Sequence, residues 1–169
     1  YTDYINIMSY DYAGGSDPIS GHHTNLYVSS GDSDQYSAHR SIQAFIKAGV
    51  PPAKIVIGMA FYGKGWQMES TDNNGLYRKA LNGARGGGYT YLKDSLVDKN
   101  GYKEYWDAKA KAPYLFNAEK KIFISYDNDR SVKEKCKYVK QHHLAPVSED
   151  QLQTGESVEH PREDEPQQL

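Results

Sequence analysis

Gly49-Val50-Pro51-Pro52-Ala53-Lys54-Ile55-Val56-Ile57-Gly58-Met59-Ala60-Phe61-Tyr62-Gly63-Lys64-Gly65-Trp66 is the stretch on which the fold turns. Ile55 to Phe61 is almost continuously apolar, as expected of a parallel strand covered on both faces. Pro51 and Pro52 stop whatever precedes it. Gly49 stands where the glycine after a helix belongs, and residues 36–48 place Ile42, Phe45 and Ile46 at helical spacing. Further back, Tyr4-Ile5-Asn6-Ile7-Met8-Ser9-Tyr10 is rich in β-formers and runs into Asp11, Gly14 and Gly15 in a polar loop. Strand, helix and strand within some 60 residues predict a βαβ unit. Alternation puts Asn6, Met8 and Tyr10 on one side of the first strand and Ile5, Ile7 and Ser9 on the other.

Residues 66–121 change character. Gly83, Gly86, Gly87 and Gly88, many tyrosines and short polar segments replace the helix that should follow, which predicts an inserted α+β subdomain. The glycine cluster lacks a Lys-Ser/Thr and a following helix, so it is no phosphate loop. Regular α/β order is expected to return with Ile122-Phe123-Ile124-Ser125-Tyr126-Asp127. Ser131-Val132-Lys133-Glu134 reads as a capping signature, with Val132, Cys136, Val139 and His143 as the buried stripe of a helix ending near Leu144. Cys136, the single cysteine, is expected to pack in the core.

Composition narrows the classes. The 169 residues are 38% hydrophobic, with a mean hydropathy of −0.80, polar for a globular domain but short of a wholly disordered chain. The dilution sits at the end: residues 146–169 hold seven acidic groups, one Arg and no aromatic, and read as a disordered acidic tail. Taking that tail from the 22 acidic and 20 basic groups leaves 15 and 19 in residues 1–145, an excess too weak to argue for nucleic acid. No run of 18 apolar residues is present, so nothing points to a membrane. Tyr1 enters an apolar run with no initiator Met or charged leader, which reads as a chain that continues upstream.

Chemistry gathers at strand ends. Met8-Ser9-Tyr10-Asp11 places a thioether, a phenol and a carboxylate at the C-terminal end of a strand, where α/β barrels build their active sites. His22 and His23 suggest a metal only weakly, because adjacent side chains diverge and no third ligand has recognisable spacing; no metal and no cofactor is expected.

Taken with Gly21-His22-His23-Thr24-Asn25-Leu26-Tyr27, with Gly49 to Gly58, and with Tyr62-Gly63-Lys64, the Met-x-Tyr-Asp run resembles the family 18 glycoside hydrolases, the chitinase family, over residues 1–145. The resemblance implies a partial (β/α)8 TIM barrel: residues 1–65 from the sixth strand to the seventh, residues 66–121 as the α+β insertion, and residues 122–145 returning to the barrel and its seventh helix. After Ala145 the sequence departs from the family. The resemblance further implies a retaining mechanism in which the substrate's own N-acetyl oxygen is the nucleophile. Tyr10 would hold that oxygen in attack geometry, Asp11 would hydrogen-bond the sugar, and Met8 would form the pocket floor. Tyr62 and Trp66 would stack on pyranose rings at the rim. The family's Asp-x-x-Asp-x-Asp-x-Glu, source of the proton donor, has no match; Asp127, Asp129 and Glu134 come nearest, at the wrong spacing and before a helix, as caps would be. The implied partner is chitin or a chito-oligosaccharide, and the implied parent is secreted or extracellular. This chain alone is expected to be inactive. A chitinase-like lectin is the alternative; an enzyme acting on N-glycans fits less well because such relatives tend to lack the insertion.

Overall fold

A computed structural model describes residues 2–146; the acidic tail expected over 146–169 lies outside the described residues apart from Pro146. Two sheets organise the chain. β1 (Ile5–Ile7) and β2 (Ile55–Ile57) form a parallel pair in which Ile5 lies opposite Ile55 and Ile7 opposite Ile57. Between them runs α1 (Ala38–Lys47), started by Ser37, whose hydroxyl accepts from the Arg40 N–H, and closed before Gly49 at φ +93°. Asn6 and Met8 face outward while Ile7 and Ser9 are buried, the alternation expected of the strand. Ile7, Ile42, Ile55 and Ile57 share one core with Tyr138, Val139 and Leu144 of the C-terminal helical segment.

The second sheet is five-stranded and antiparallel, in the order β4-β3-β7-β6-β5. Its strands are β3 (Tyr62–Met68), β4 (Ala80–Gly88), β5 (Tyr102–Asp107), β6 (Ala112–Asn117) and β7 (Ile122–Ser125). Every residue of β6 is buried because both faces are covered. Trp66, Met68, Leu76, Phe116 and Phe123 fill one face. Leu92, Leu96, Leu115, Ile124 and Tyr126 fill the other, beneath the short α2 (Tyr89–Tyr91) and the π-turn Leu92–Leu96 that continues it. The sheet therefore begins at Tyr62 and ends at Ser125, not at 66 and 121: β7 pairs with β3 and β6, so the expected return to α/β order at Ile122 comes only after Ser125.

α3 (Asp129–Gln141) follows. Its N-cap is Asn128, whose side chain accepts from the Ser131 N–H while the Ser131 hydroxyl accepts from the Asn128 N–H, a reciprocal box one turn earlier than the expected Ser131 cap. The buried stripe is rotated as well. Ser131, Lys135, Tyr138 and Val139 are buried, whereas Val132 and Cys136 are half-buried and His143 is exposed. Lys135 turns inward because Asp127 is there: its Nζ lies 2.5 Å from Asp127 Oδ2 and 2.7 Å from Thr24 Oγ1, with both charges buried. Thr24 Oγ1 donates to the same Asp127 oxygen at 2.8 Å, and Ser131 Oγ donates to the other at 2.6 Å. Asp127 is thus half of an interior ion pair and not a helix cap.

The loop after β1 lies directly on the second sheet. A Cβ on Gly15 would sit 2.9 Å from the Gly65 carbonyl oxygen and 3.2 Å from Gly83 Cα, and one on Gly83 would meet the Gly15 oxygen at 2.9 Å. Only glycine permits this backbone-on-backbone approach. The Ala80 N–H donates to Pro18 O and the Ser20 N–H to Arg78 O across the same seam. Among the described residues, no helix is long and apolar enough to cross a membrane.

Candidate active-site cleft

β1 and β2 deliver their exits side by side. The Gly58 N–H donates to Ile7 O at 2.9 Å, and the Ser9 hydroxyl donates to Gly58 O at 2.8 Å. A Cβ at Gly58 would stand 2.7 Å from Ile7 O and 2.9 Å from Tyr10 Cε1, so its absence lets the Tyr10 ring lie over the end of β2. Asp11 follows at φ +63°, a left-handed conformation that Asp tolerates better than most residues. It turns the chain sharply and lifts the carboxylate to the surface.

Three side chains converge on one oxygen of that carboxylate. Tyr62 Oη donates to Asp11 Oδ1 at 2.6 Å, Lys64 Nζ is 2.8 Å from it, and His23 Nδ1 is 3.7 Å away. Partial burial pushes the Asp11 carboxyl up, but the hydrogen bonds from Lys64 and Tyr62 and the Lys64 charge outweigh it and hold the group below the usual carboxylate range. Burial, and then the bond to Asp11, pushes the Tyr62 phenol well above that of free tyrosine. Tyr10 meets Tyr62 edge to face, with ring centroids 6.1 Å apart at 77°. His23 is fully buried, and burial holds its imidazole down at about 4, so it is neutral at neutral pH.

The structure brings Tyr10, Asp11 and Tyr62 together. Met8 is 73% exposed at the exit of β1, with its side chain uncovered by the described residues. Trp66, expected at the rim, is fully buried. It shares the face of Tyr62 and Lys64 but lies further along β3, packed on Phe123 with centroids 5.6 Å apart, in a core cluster with Met68 and Leu76 against which Ala13 and Tyr77 pack. An indole there cannot offer its face to a sugar. Lys64 and His23 appear in the quoted sequence runs, but sequence reasoning gave neither a place beside Asp11. Lys64 had a signal: period-two alternation places it on the face of Tyr62. His23 had none, because its partners Tyr62 and Ser125 stand 39 and 102 residues away.

His22 and His23 do diverge. His22 Nε2 lies 3.3 Å from Asp107, and His23 Nε2 lies 3.2 Å from the Tyr62 carbonyl oxygen. Among the described residues no cluster of three or more His, Cys, Asp or Glu side chains could hold a metal ion. The cluster thus offers a fixed carboxylate, a phenol beside it and an ammonium group, a set of hydrogen-bonding groups suited to orienting a polar ligand.

Comparison with known proteins gives this geometry its family. The sequence model of the Glycosyl hydrolases family 18 matches residues 1–148. Chitinase A1 of Niallia circulans is 38% identical over 152 residues, an alignment covering 82% of this chain and 22% of that protein. A family 18 N-acetylglucosaminidase from Paenibacillus barengoltzii superposes with a TM-score of 0.81 at 44% identity, covering 86% of this chain and 42% of that one. A family 18 chitinase from Cycas revoluta, solved in complex with (GlcNAc)3, superposes at 0.73 with 26% identity, covering 84% of this chain and 40% of that one. The chain spans less than half the length of each of these relatives. By the match over residues 1–148, this chain belongs to glycosyl hydrolase family 18.

Proposed function

We propose that this chain is part of an enzyme that hydrolyses β-1,4-linked N-acetylglucosamine in chitin with retention, and that it supplies the groups that hold the substrate's acetamide. The observation that carries the reading is the meeting of Tyr10, Asp11 and Tyr62 at the joined exits of two parallel strands. The relatives named above and the oligosaccharide held by the Cycas enzyme support it. β1 and β2 then stand for the sixth and seventh strands of a (β/α)8 barrel, and the five-stranded sheet for a subdomain inserted after the seventh.

In the reaction the acetamido oxygen attacks the anomeric carbon, the glycosidic bond breaks, and the leaving oxygen takes a proton from a carboxylic acid. Water then opens the cyclic intermediate from the face that the leaving group vacated, giving a proton to the carboxylate that supplied the first one, so the configuration is retained. Tyr10 donates its hydroxyl to the acetamido oxygen and fixes the angle of attack; such positioning is worth several kcal/mol. Asp11, ionised and held by Tyr62 and Lys64, accepts from a sugar hydroxyl or the acetamido N–H. Met8 lies under the ring, and chito-oligosaccharide is the partner bound. The proton donor is absent from these 169 residues, which contain no Asp-x-x-Asp-x-Asp-x-Glu.

The test has two arms. The purified chain is expected to release no fluorophore from a fluorogenic chitobioside above a Tyr10→Phe control, since general acid catalysis alone is worth about 10²–10⁴-fold. Turnover above that control would refute the assignment of the missing acid. In the parent protein Tyr10→Phe should lower kcat far more than it changes KM. A parent that binds the oligosaccharide without turning it over would be a lectin, against the proposal.

A further inference from the structure

We propose that His23 is a positioning residue of this cleft, its buried imidazole fixing Tyr62 so that the phenol reaches Asp11. The inference rests on reading the cleft as a sugar site, but its geometry can be tested with no sugar present.

A buried imidazole must account for both nitrogens. His23 Nε2 lies 3.2 Å from the Tyr62 carbonyl oxygen, which can only accept, so Nε2 carries the proton. That bond pins the main chain of Tyr62 at the first position of β3. Nδ1 is then a lone pair; it has no hydrogen-bond partner and stands 3.7 Å from Asp11 Oδ1. Two acceptors at that separation repel, which keeps the carboxylate from settling on the ring and leaves Tyr62 Oη and Lys64 Nζ as its donors. The ring also forms a wall for the phenol, with centroids 5.3 Å apart and planes inclined by 35°. The two sides of the Tyr62–Asp11 hydrogen bond are therefore both set by one side chain.

The backbone of His23 is tied as firmly. Its N–H donates to Ser125 Oγ at 3.0 Å, and its carbonyl accepts from the Tyr12 N–H at 3.1 Å, one residue past Asp11. His23 thus joins the loop of Asp11 to the sheet that carries Tyr62. The charges around it are of both signs: Asp11 and Lys64 at the cleft, Asp127 and Lys135 behind. Burial exceeds them all and keeps the ring neutral, as a fixed donor to the Tyr62 carbonyl requires.

The readout is the ionisation midpoint of Tyr62 in the full chain, followed by NMR of tyrosines labelled at Cζ and assigned with Tyr62→Phe. In the unmodified chain the midpoint should lie above that of free tyrosine. His23→Ala and His23→Asn should lower it by about one unit or more, a ten-fold change in proton affinity, as the phenol loses its carboxylate partner. His23→Gln, whose amide nitrogen can occupy the place of Nε2, should restore it. A folded His23→Ala chain with an unchanged Tyr62 midpoint would overturn the proposal, as would a His23→Gln midpoint as low as that of Ala. Where the alanine chain does not fold, imidazole ¹⁵N shifts of the unmodified chain decide: a proton on Nε2 supports the inference and a proton on Nδ1 refutes it. Failure of the chitin reading would show in the saccharide assays and leave these outcomes untouched.

Discussion

Acidification should destabilise the chain chiefly through His23. The ordinary imidazole value is 6.5, and burial lowers that of His23 to about 4 in the folded chain. A group whose folded value is depressed binds its proton more weakly in the native state, so the unfolded chain takes up the proton first as pH falls. The stabilisation is complete above 6.5 and is lost progressively down to about 4. Two and a half units at roughly 1.4 kcal/mol each amount to about 3–4 kcal/mol. That is a large share of the ~5–15 kcal/mol by which domains are stable. Asp11, also depressed, keeps its contribution until the pH falls below the ordinary carboxylate range, so it adds little to this window. His39, lowered by burial and by the neighbouring His142 and Arg40, adds a loss of the same sign. Urea unfolding followed by Trp fluorescence at intervals between pH 7 and 4 measures the total, and the difference from His23→Gln isolates His23. Parallel stability curves for the two proteins would refute the argument, because a residue that does not titrate cannot contribute that slope.

Two further perturbations test the interior. Lys135→Met should cost about 3–5 kcal/mol, since it leaves the buried Asp127 carboxylate without its cation; Asp127→Leu combined with Lys135→Met should recover much of that in a double-mutant cycle, and additive losses would show that the pair is not coupled. Trp66→Ala should cost about 3–5 kcal/mol by opening a cavity beside Phe123. A folded variant with an unchanged unfolding midpoint but weakened oligosaccharide binding would return the indole to the rim.

The parallel pair and α1 were legible because their signals are local and agree: an apolar run, a helical stripe and Gly49 at its end. β4 was not. Ala80-Leu81-Asn82-Gly83-Ala84-Arg85-Gly86-Gly87-Gly88 has almost no β-formers, and it is a strand because β3 lends it a ladder and glycines allow the close approach. The phase of α3 was misread because the hydrophobic pattern could not reveal that Lys135 has an interior partner. At the candidate site, Tyr10 and Asp11 stood out at the end of a strand, and Tyr62 came only from the family resemblance. Trp66 could not be placed, because alternation gives its face but not the loop that covers it. His23 was invisible for a different reason: its role is a set of contacts between segments that meet only on folding.

The glycine seam bears on how such proteins can be recombined. Gly15 belongs to the loop that presents the cleft and Gly83 to the far sheet, and each occupies the space where the other's side chain would begin. A chimera that grafts residues 62–125 from a relative onto another scaffold would have to carry a matched pair, because any larger residue on either side forces the two backbones apart. The sheet is therefore less an interchangeable cassette than half of a lock, inherited together with the loop it closes upon.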